Sequence, residues 1–180
     1  LLEQNTATSY GLKELELPLF GLFGACSTVG EALSLASITV SGGFAENVLA
    51  LASSHIGSAE KQFRFPLEYG NQRPLSATWT VTGSGGFVVS KAPGPIRIRG
   101  ITTGKIVDYG MKDPMNMGAC MAPAAAQVMY QHFQDYSTQP KDYEAIYTGD
   151  LGEVGKQILL KLMDNNGYDI SGVYGDCGLE

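Results

Sequence analysis

Positive charge is scarce in this sequence, and histidine, tryptophan and cysteine are scarcer. Twelve lysines and arginines stand against eighteen aspartates and glutamates, for a net charge of −6. A nucleic-acid surface needs clustered Lys and Arg. The one basic cluster, Arg97 and Arg99, alternates with Ile96, Ile98 and Ile101, which predicts a strand with one wet face. No nucleic-acid partner is expected. Two histidines without matching Cys or carboxylate spacing make no zinc site. No apolar run reaches the roughly 18 residues that a membrane span needs, and no secretory signal pattern is recognisable. Three cysteines, Cys26, Cys120 and Cys177, are odd in number and form no C-x-x-C pair. That pattern points to a reduced, intracellular setting. Internal repeats are absent too, which excludes solenoids. A tempting P-loop in "GDLGEVGKQ" fails, because Asp150 stands five residues before Gly155 and Gln157 replaces the Ser or Thr.

What is present reads as an ordinary globular chain. Of its 180 residues 44% are hydrophobic and 17% charged, enough to bury a real core. The chain opens Leu-Leu-Glu without Met and stops at "DCGLE", which reads as a piece of a longer protein. Residues 4–15 carry a modest helical pattern after Asn5 or Thr6. The apolar run at 19–25, "LFGLFGA", is bounded by Pro and Gly and predicts a buried, parallel strand. Helical spacing follows over 27–41 and stops at "SGGF". A second buried strand is expected over 47–54, making a βαβ unit with the first. Residues 56–78 read as a long aromatic and polar excursion, and 80–91 as a returning strand whose glycines permit close backbone approach.

Pro93-Gly94-Pro95 is the clearest boundary in the chain. Two alternating strands are expected after it. Then come a helix over 119–136 with Pro123 near its first turn, a strand over 143–150, and a helix over 153–167 closed by Asn-Gly. The expected class is α/β with a mainly parallel sheet.

Four places carry candidate chemistry. Cys26 sits between a strand end and a helix start, where orphan N–H groups and the positive helix end favour a thiolate. The idea resembles a nucleophile elbow, without the G-x-S-x-G spacing. Equally, Gly24-Ala25-Cys26 fills a crowded turn with a small residue. His55 follows the next strand, on the sheet edge where ligands bind in such units, or is a hydrogen-bonded loop histidine. His132 belongs to the surface or the edge of the core. Asp150 closes the strand at 143–150 and points to that edge, or caps the helix that follows. Lys61, Arg64 and Arg73, in the long excursion, suit an anionic ligand or pair with Glu60 and Glu68.

The segments "LFGACST", "VLALASSH", "EKQFRFPLEYG", "TVTGSGGFVVS", "MGACMAPAAA" and "YTGDLGEVG…DCG" resemble the stage V sporulation protein AD family. These are thiolase-fold proteins of spore-forming Firmicutes. The resemblance runs through nearly the whole chain. It implies a layered α-β-α-β-α fold in two halves, here 1–92 and 93–180, each incomplete at its outer end. Condensing enzymes of that fold carry an acyl group on a cysteine matching Cys26. They also use a histidine early in the second half, where this sequence reads Thr148-Gly149-Asp150. An aspartate there adds negative charge where an enolate needs positive help.

The resemblance therefore implies a binding protein without turnover, an acyltransferase or condensing enzyme using Cys26 being the alternative. Its ligand would be dipicolinic acid, taken up with calcium into the developing spore. Its partners would be the other SpoVA membrane-channel proteins, at the inner spore membrane. A homodimer is expected across "TGSGGFVVS" and its neighbours. A flat aromatic dianion wants donors and cations, which Ser54, His55, Arg64 and backbone N–H groups near Cys26 would supply. Asp150 fits where calcium bridges it to the ligand. No other cofactor is expected.

Overall fold

The computed structural model describes residues 2–55, 75–78 and 82–179. They fall into two compact units, one drawn from 1–71 with 80–101 and the other from 72–79 with 102–180. The architecture is mixed α/β, as expected from the sequence.

The first unit starts with α1 (Leu2–Leu12) and a 3-10 turn, Lys13–Leu15. A second 3-10 turn, Ala25–Ser27, leads into α2 (Thr28–Ser41). The helix ends where the glycines predict: Gly42 caps it, and Gly43 follows with φ +78°. Strand β1 (Asn47–Ser54) coincides with the expected stretch, and β2 (Gly83–Ser90) lies within the expected 80–91. Their ladder runs antiparallel through eight residues, from Asn47 opposite Ser90 to Ser54 opposite Gly83. Gly86 lies opposite Leu51, and a Cβ there would come within 2.9 Å of Leu51 Cδ2. The glycine thus lets Leu51 lie across the neighbouring strand. The small core is Ala32 and Ala36 of α2 on Ala50 of β1, flanked by Leu22, Leu33, Val48 and Val89.

The second unit holds α3 (Met117–Tyr136), β3 (Ile146–Thr148), α4 (Gly152–Asn165) and β4 (Tyr174–Asp176). Asn116 caps α3, its Oδ1 accepting from the Ala119 N–H at 3.1 Å. Because α3 begins two residues earlier than the expected 119, Pro123 falls in its second turn. Strands β3 and β4 pair in parallel, Thr148 opposite Asp176, with α4 as their crossover. Helices α3 and α4 meet backbone to backbone at Gly118 and Gly155. A Cβ on Gly155 would sit 2.8 Å from Gly118 Cα, and one on Gly118 would collide with the Leu151 carbonyl. Phe133, Leu159, Met163, Tyr168 and Ile170 fill the core beneath.

Three expectations need correction. Residues 19–25 form no strand: among the described residues nothing pairs with them, and only Leu22 packs against the core while Leu19, Phe20 and Phe23 stay exposed. The βαβ unit expected there occurs instead at 146–176, and the longer ladder is antiparallel, not parallel. The two strands expected after Pro95 are absent too. Residues 96–112 carry no helix or strand, with Ile96 89% and Ile106 99% exposed. An alternating pattern says which face is apolar; it makes a strand only where a neighbour accepts the ladder. Strand β4 is the converse case, a buried element that the sequence reading passes over.

Candidate functional site

Cys26 lies in the 3-10 turn immediately ahead of α2, with its side chain exposed. The turn is strained. Ala25 has φ 48°, a left-handed conformation that costs a non-glycine residue about 1–2 kcal/mol. The Ser27 hydroxyl donates to the Gly24 carbonyl at 2.6 Å and so does not cap the helix. Glu31, in the first turn of α2, reaches back toward the same place. Its Oε2 is buried without a hydrogen bond and lies 2.5 Å from where a Cβ on Gly24 would be. The start of α2 thus already holds a carboxylate of its own. That negative charge opposes the effect of the helix dipole on a thiol placed there.

Ser54 ends β1, half-buried, and the exposed His55 follows it. Topology brings this pair to the same end of the unit as Cys26. Helix α2 spans about 21 Å at 1.5 Å per residue, and β1 about 26 Å at 3.3 Å per residue. A link of only five residues, 42–46, joins them, and they pack through Ala32, Ala36 and Ala50. The chain therefore runs out along α2 and back along β1, returning Ser54 and His55 to the level of the α2 start. The chain path thus brings the positions of Cys26, Ser54 and His55 toward the same end of the first unit. Arg64 lies outside the described residues.

Asp150 belongs to the second unit, half-buried in the turn between β3 and α4. Its carboxylate packs on Gly178 so closely that any Cβ there would collide with it. The turn is fixed by a residue that the sequence reading missed. Asp176, the last residue of β4, is fully buried. Its Oδ2 accepts from the Leu151 N–H at 2.9 Å and from the Tyr174 hydroxyl at 3.2 Å, and its Oδ1 accepts from the Gly178 N–H at 2.9 Å. Since Tyr174 gives its proton to the carboxylate, Thr148 is the donor in the 2.6 Å contact between the two hydroxyls. Burial, with the Asp176 charge beside it, pushes the Tyr174 phenol well above its ordinary range. The sequence suggests Asp150 as the cap of α4, but Leu151 occupies the cap position without a side-chain cap, and Asp176 holds its N–H. It leaves Asp150 held in a rigid turn. A signal for it exists: "Thr-Gly-Asp" at 148–150 recurs as "Tyr-Gly-Asp" at 174–176.

Among the described residues no three His, Cys, Asp or Glu side chains are arranged to hold a metal ion. A calcium ion takes six to eight oxygens, so Asp150 fits it only as a minority ligand to an ion that arrives with its own donors. His132 is an edge-of-core residue, as expected. Its Nδ1 lies 2.8 Å from Thr102 Oγ1 and its Nε2 2.8 Å from the Tyr143 hydroxyl, and its ring lies against Tyr136. No described helix is long and apolar enough to cross a membrane.

Comparison with known proteins accords with the motifs in the sequence. A model of the family described as stage V sporulation protein AD matches residues 1–180. A curated relative, stage V sporulation protein AD of Bacillus subtilis (strain 168), is 48% identical over 179 residues. The match covers 99% of this chain and 53% of the relative, so the chain spans about half the relative's length.

Proposed function

The chain belongs to the stage V sporulation protein AD family, and from that premise we propose that it forms part of a protein that binds dipicolinic acid, together with calcium, for uptake into the developing spore. The observation that carries the reading is Asp150. Condensing enzymes of the thiolase type, which the sequence resembles, place a histidine at the corresponding turn. Here the turn holds a carboxylate, packed too close to Gly178 to leave room for a Cβ there, next to the Leu151 N–H that Asp176 accepts. A carboxylate destabilises a developing enolate or oxyanion, whereas it is a natural ligand for a hard cation.

In this reading Ser54 and His55 donate hydrogen bonds to the pyridine dicarboxylate, and Arg64 contributes a charge-assisted pair. Cys26 contacts the ligand without attacking it, and Asp150 supplies oxygens to the calcium that travels with it. The proposal carries with it the layered α-β-α-β-α arrangement in halves 1–92 and 93–180 and a dimeric state. It also places the protein at the inner spore membrane, beside the SpoVA channel proteins. Titration calorimetry on the full-length protein tests the binding, with dipicolinate and with calcium dipicolinate. His55→Ala and Arg64→Ala should each weaken binding about tenfold or more, the worth of one charge-assisted contact. Unchanged binding in both variants refutes the assignment.

One observation favours the alternative. Cys26 is exposed on a strained turn at a helix start, the setting of an acyl-carrying thiol. Incubation with an acyl-CoA followed by intact-mass measurement separates the two readings. A stable adduct that disappears in Cys26→Ser establishes acyl transfer.

A further inference from the structure

The turn that ends α4 holds an asparagine directly before a glycine, Asn166-Gly167, in the run "DNNGYD". This pair carries chemistry of its own, asparagine being among the thermolabile residues. The backbone nitrogen of the glycine can attack the asparagine side-chain carbonyl carbon, because no glycine side chain hinders its approach. Residues 164–167 are exposed, and nothing lies within 4 Å of where a Cβ on Gly167 would be. Water therefore reaches the pair.

The fold of the turn opposes the reaction at three points. The Gly167 N–H donates to the Asp164 carbonyl at 2.8 Å, which withholds the proton that the nucleophile must lose. Asn166 Nδ2 donates to the Leu162 carbonyl at 2.7 Å and so aims the side chain back along the helix. Closing the ring needs the Asn166 Cβ and the Gly167 nitrogen nearly eclipsed about the Cα–C bond. With ψ 5° it is the Asn166 backbone nitrogen that eclipses the Gly167 nitrogen, and Cβ is turned away. Gly167 adopts φ +83°, and the Tyr168 N–H donates to the Met163 carbonyl at 3.0 Å, completing a Schellman cap. Tyr168, 8% exposed, anchors that cap. Its ring centroid lies 4.8 Å from that of Phe133, and its hydroxyl accepts from Gln134 Nε2 at 2.7 Å.

We propose that Asn166 is a site of hydrolytic deamidation gated by this cap, closed to reaction in the folded turn and open when the turn frays. In the open turn a solvent base takes the Gly167 amide proton and the nitrogen bonds to Asn166 Cγ. The Cγ–Nδ2 bond breaks and ammonia leaves. Water then opens the cyclic imide at either carbonyl, leaving aspartate or isoaspartate. Both products lack the donor to Leu162 and place a negative charge at the negative end of α4. Isoaspartate also adds a methylene to the main chain between the helix and Tyr168, so the cap cannot re-form in register. The conversion is irreversible and records how long the end of α4 has stood open. It is independent of what the protein binds.

Peptide mapping of the purified protein after incubation at mildly alkaline pH tests the proposal, with chromatography and mass spectrometry separating the three forms. Conversion at 166 should run about tenfold or more slower in the native protein than in urea, because only molecules with an open turn react. Tyr168→Ala removes the anchor. It should raise conversion and Gly167 amide exchange by the same factor, whether the variant opens locally or throughout. Native conversion as fast as in urea overturns the proposal, as does no conversion at 166 in urea. So does amide exchange that rises in Tyr168→Ala without a matching rise in conversion.

Discussion

Removing the Asp176 carboxylate should loosen the whole β3–α4 turn. The residue is fully buried and satisfies three donors: the Leu151 and Gly178 N–H groups and the Tyr174 hydroxyl. Asp176→Ala leaves the Leu151 and Gly178 N–H groups without an acceptor, while the Tyr174 hydroxyl turns to donate to Thr148 Oγ1. Each unsatisfied donor costs about 1–3 kcal/mol, so the loss should be about 2–5 kcal/mol after some relaxation. That is a large share of the 5–15 kcal/mol typical of a domain. Asp176→Asn keeps the shape and one acceptor oxygen but turns an amino group toward at least one donor, for about 2 kcal/mol. Urea unfolding followed by circular dichroism gives the ranking, and amide hydrogen exchange gives the location. Exchange at Leu151 and Gly178 should accelerate in both variants, while amides of β1 in the first unit keep their protection. If the alanine variant loses less than about 1 kcal/mol, or the asparagine variant is the less stable of the two, the account of Asp176 is wrong.

Three further perturbations probe other parts of the structure. Gly155→Ala should cost about 1–2 kcal/mol in a urea titration. The added methyl falls 2.8 Å from Gly118 Cα and Leu151 Cβ and forces α3 from α4, outweighing the better helix propensity of alanine. Gly30→Ala, with nothing within 4 Å, should stabilise α2 by about 0.5–1 kcal/mol and serves as the control. Glu31→Gln removes the negative charge at the start of α2, and iodoacetamide should then label Cys26 several-fold faster at neutral pH; an unchanged rate excludes electrostatic control by Glu31. Tyr174 is held neutral by burial and by Asp176, so its folded pKa lies above the unfolded value of about 10. Its contribution is complete below about pH 10 and is lost as pH rises beyond it. The urea midpoint should therefore fall above pH 10 in the wild type and fall less steeply in Tyr174→Phe.

The helices were readable in the sequence because helix periodicity is local. Apolar positions three and four apart define a stripe, and a cap or a glycine defines an end, with no reference to the rest of the chain. Hence α2 closes at Gly42 and Gly43 as expected, and α4 ends at Asn166 and Gly167. Strands are not local in this sense. "LFGLFGA" and "IRIRGI" have the composition and alternation of strands, yet their ladders need a neighbour that the described residues do not provide. Conversely, β4 is only three residues long and offers too little periodicity to detect, although burial of Tyr174 and Asp176 makes it central to the second unit.

The candidate site was legible where it depends on chain order and illegible where it depends on pairing. Cys26 and His55 reach one end of the first unit because a helix and a strand joined by five residues must run back on each other. The hydrogen bond from the Leu151 N–H to Asp176, by contrast, is foreshadowed only by the recurrence of Gly-Asp at 149–150 and 175–176, because it depends on the pairing of β3 with β4. The start of α2 poses a question of the same kind, because there the geometry is set by a residue one turn into the helix. Glu31 lies against Gly24, and a carboxylate at a helix start competes with the dipole that favours a thiolate. The Glu31→Gln labelling measurement therefore decides whether the thiol at Cys26 answers to its helix or to its neighbour.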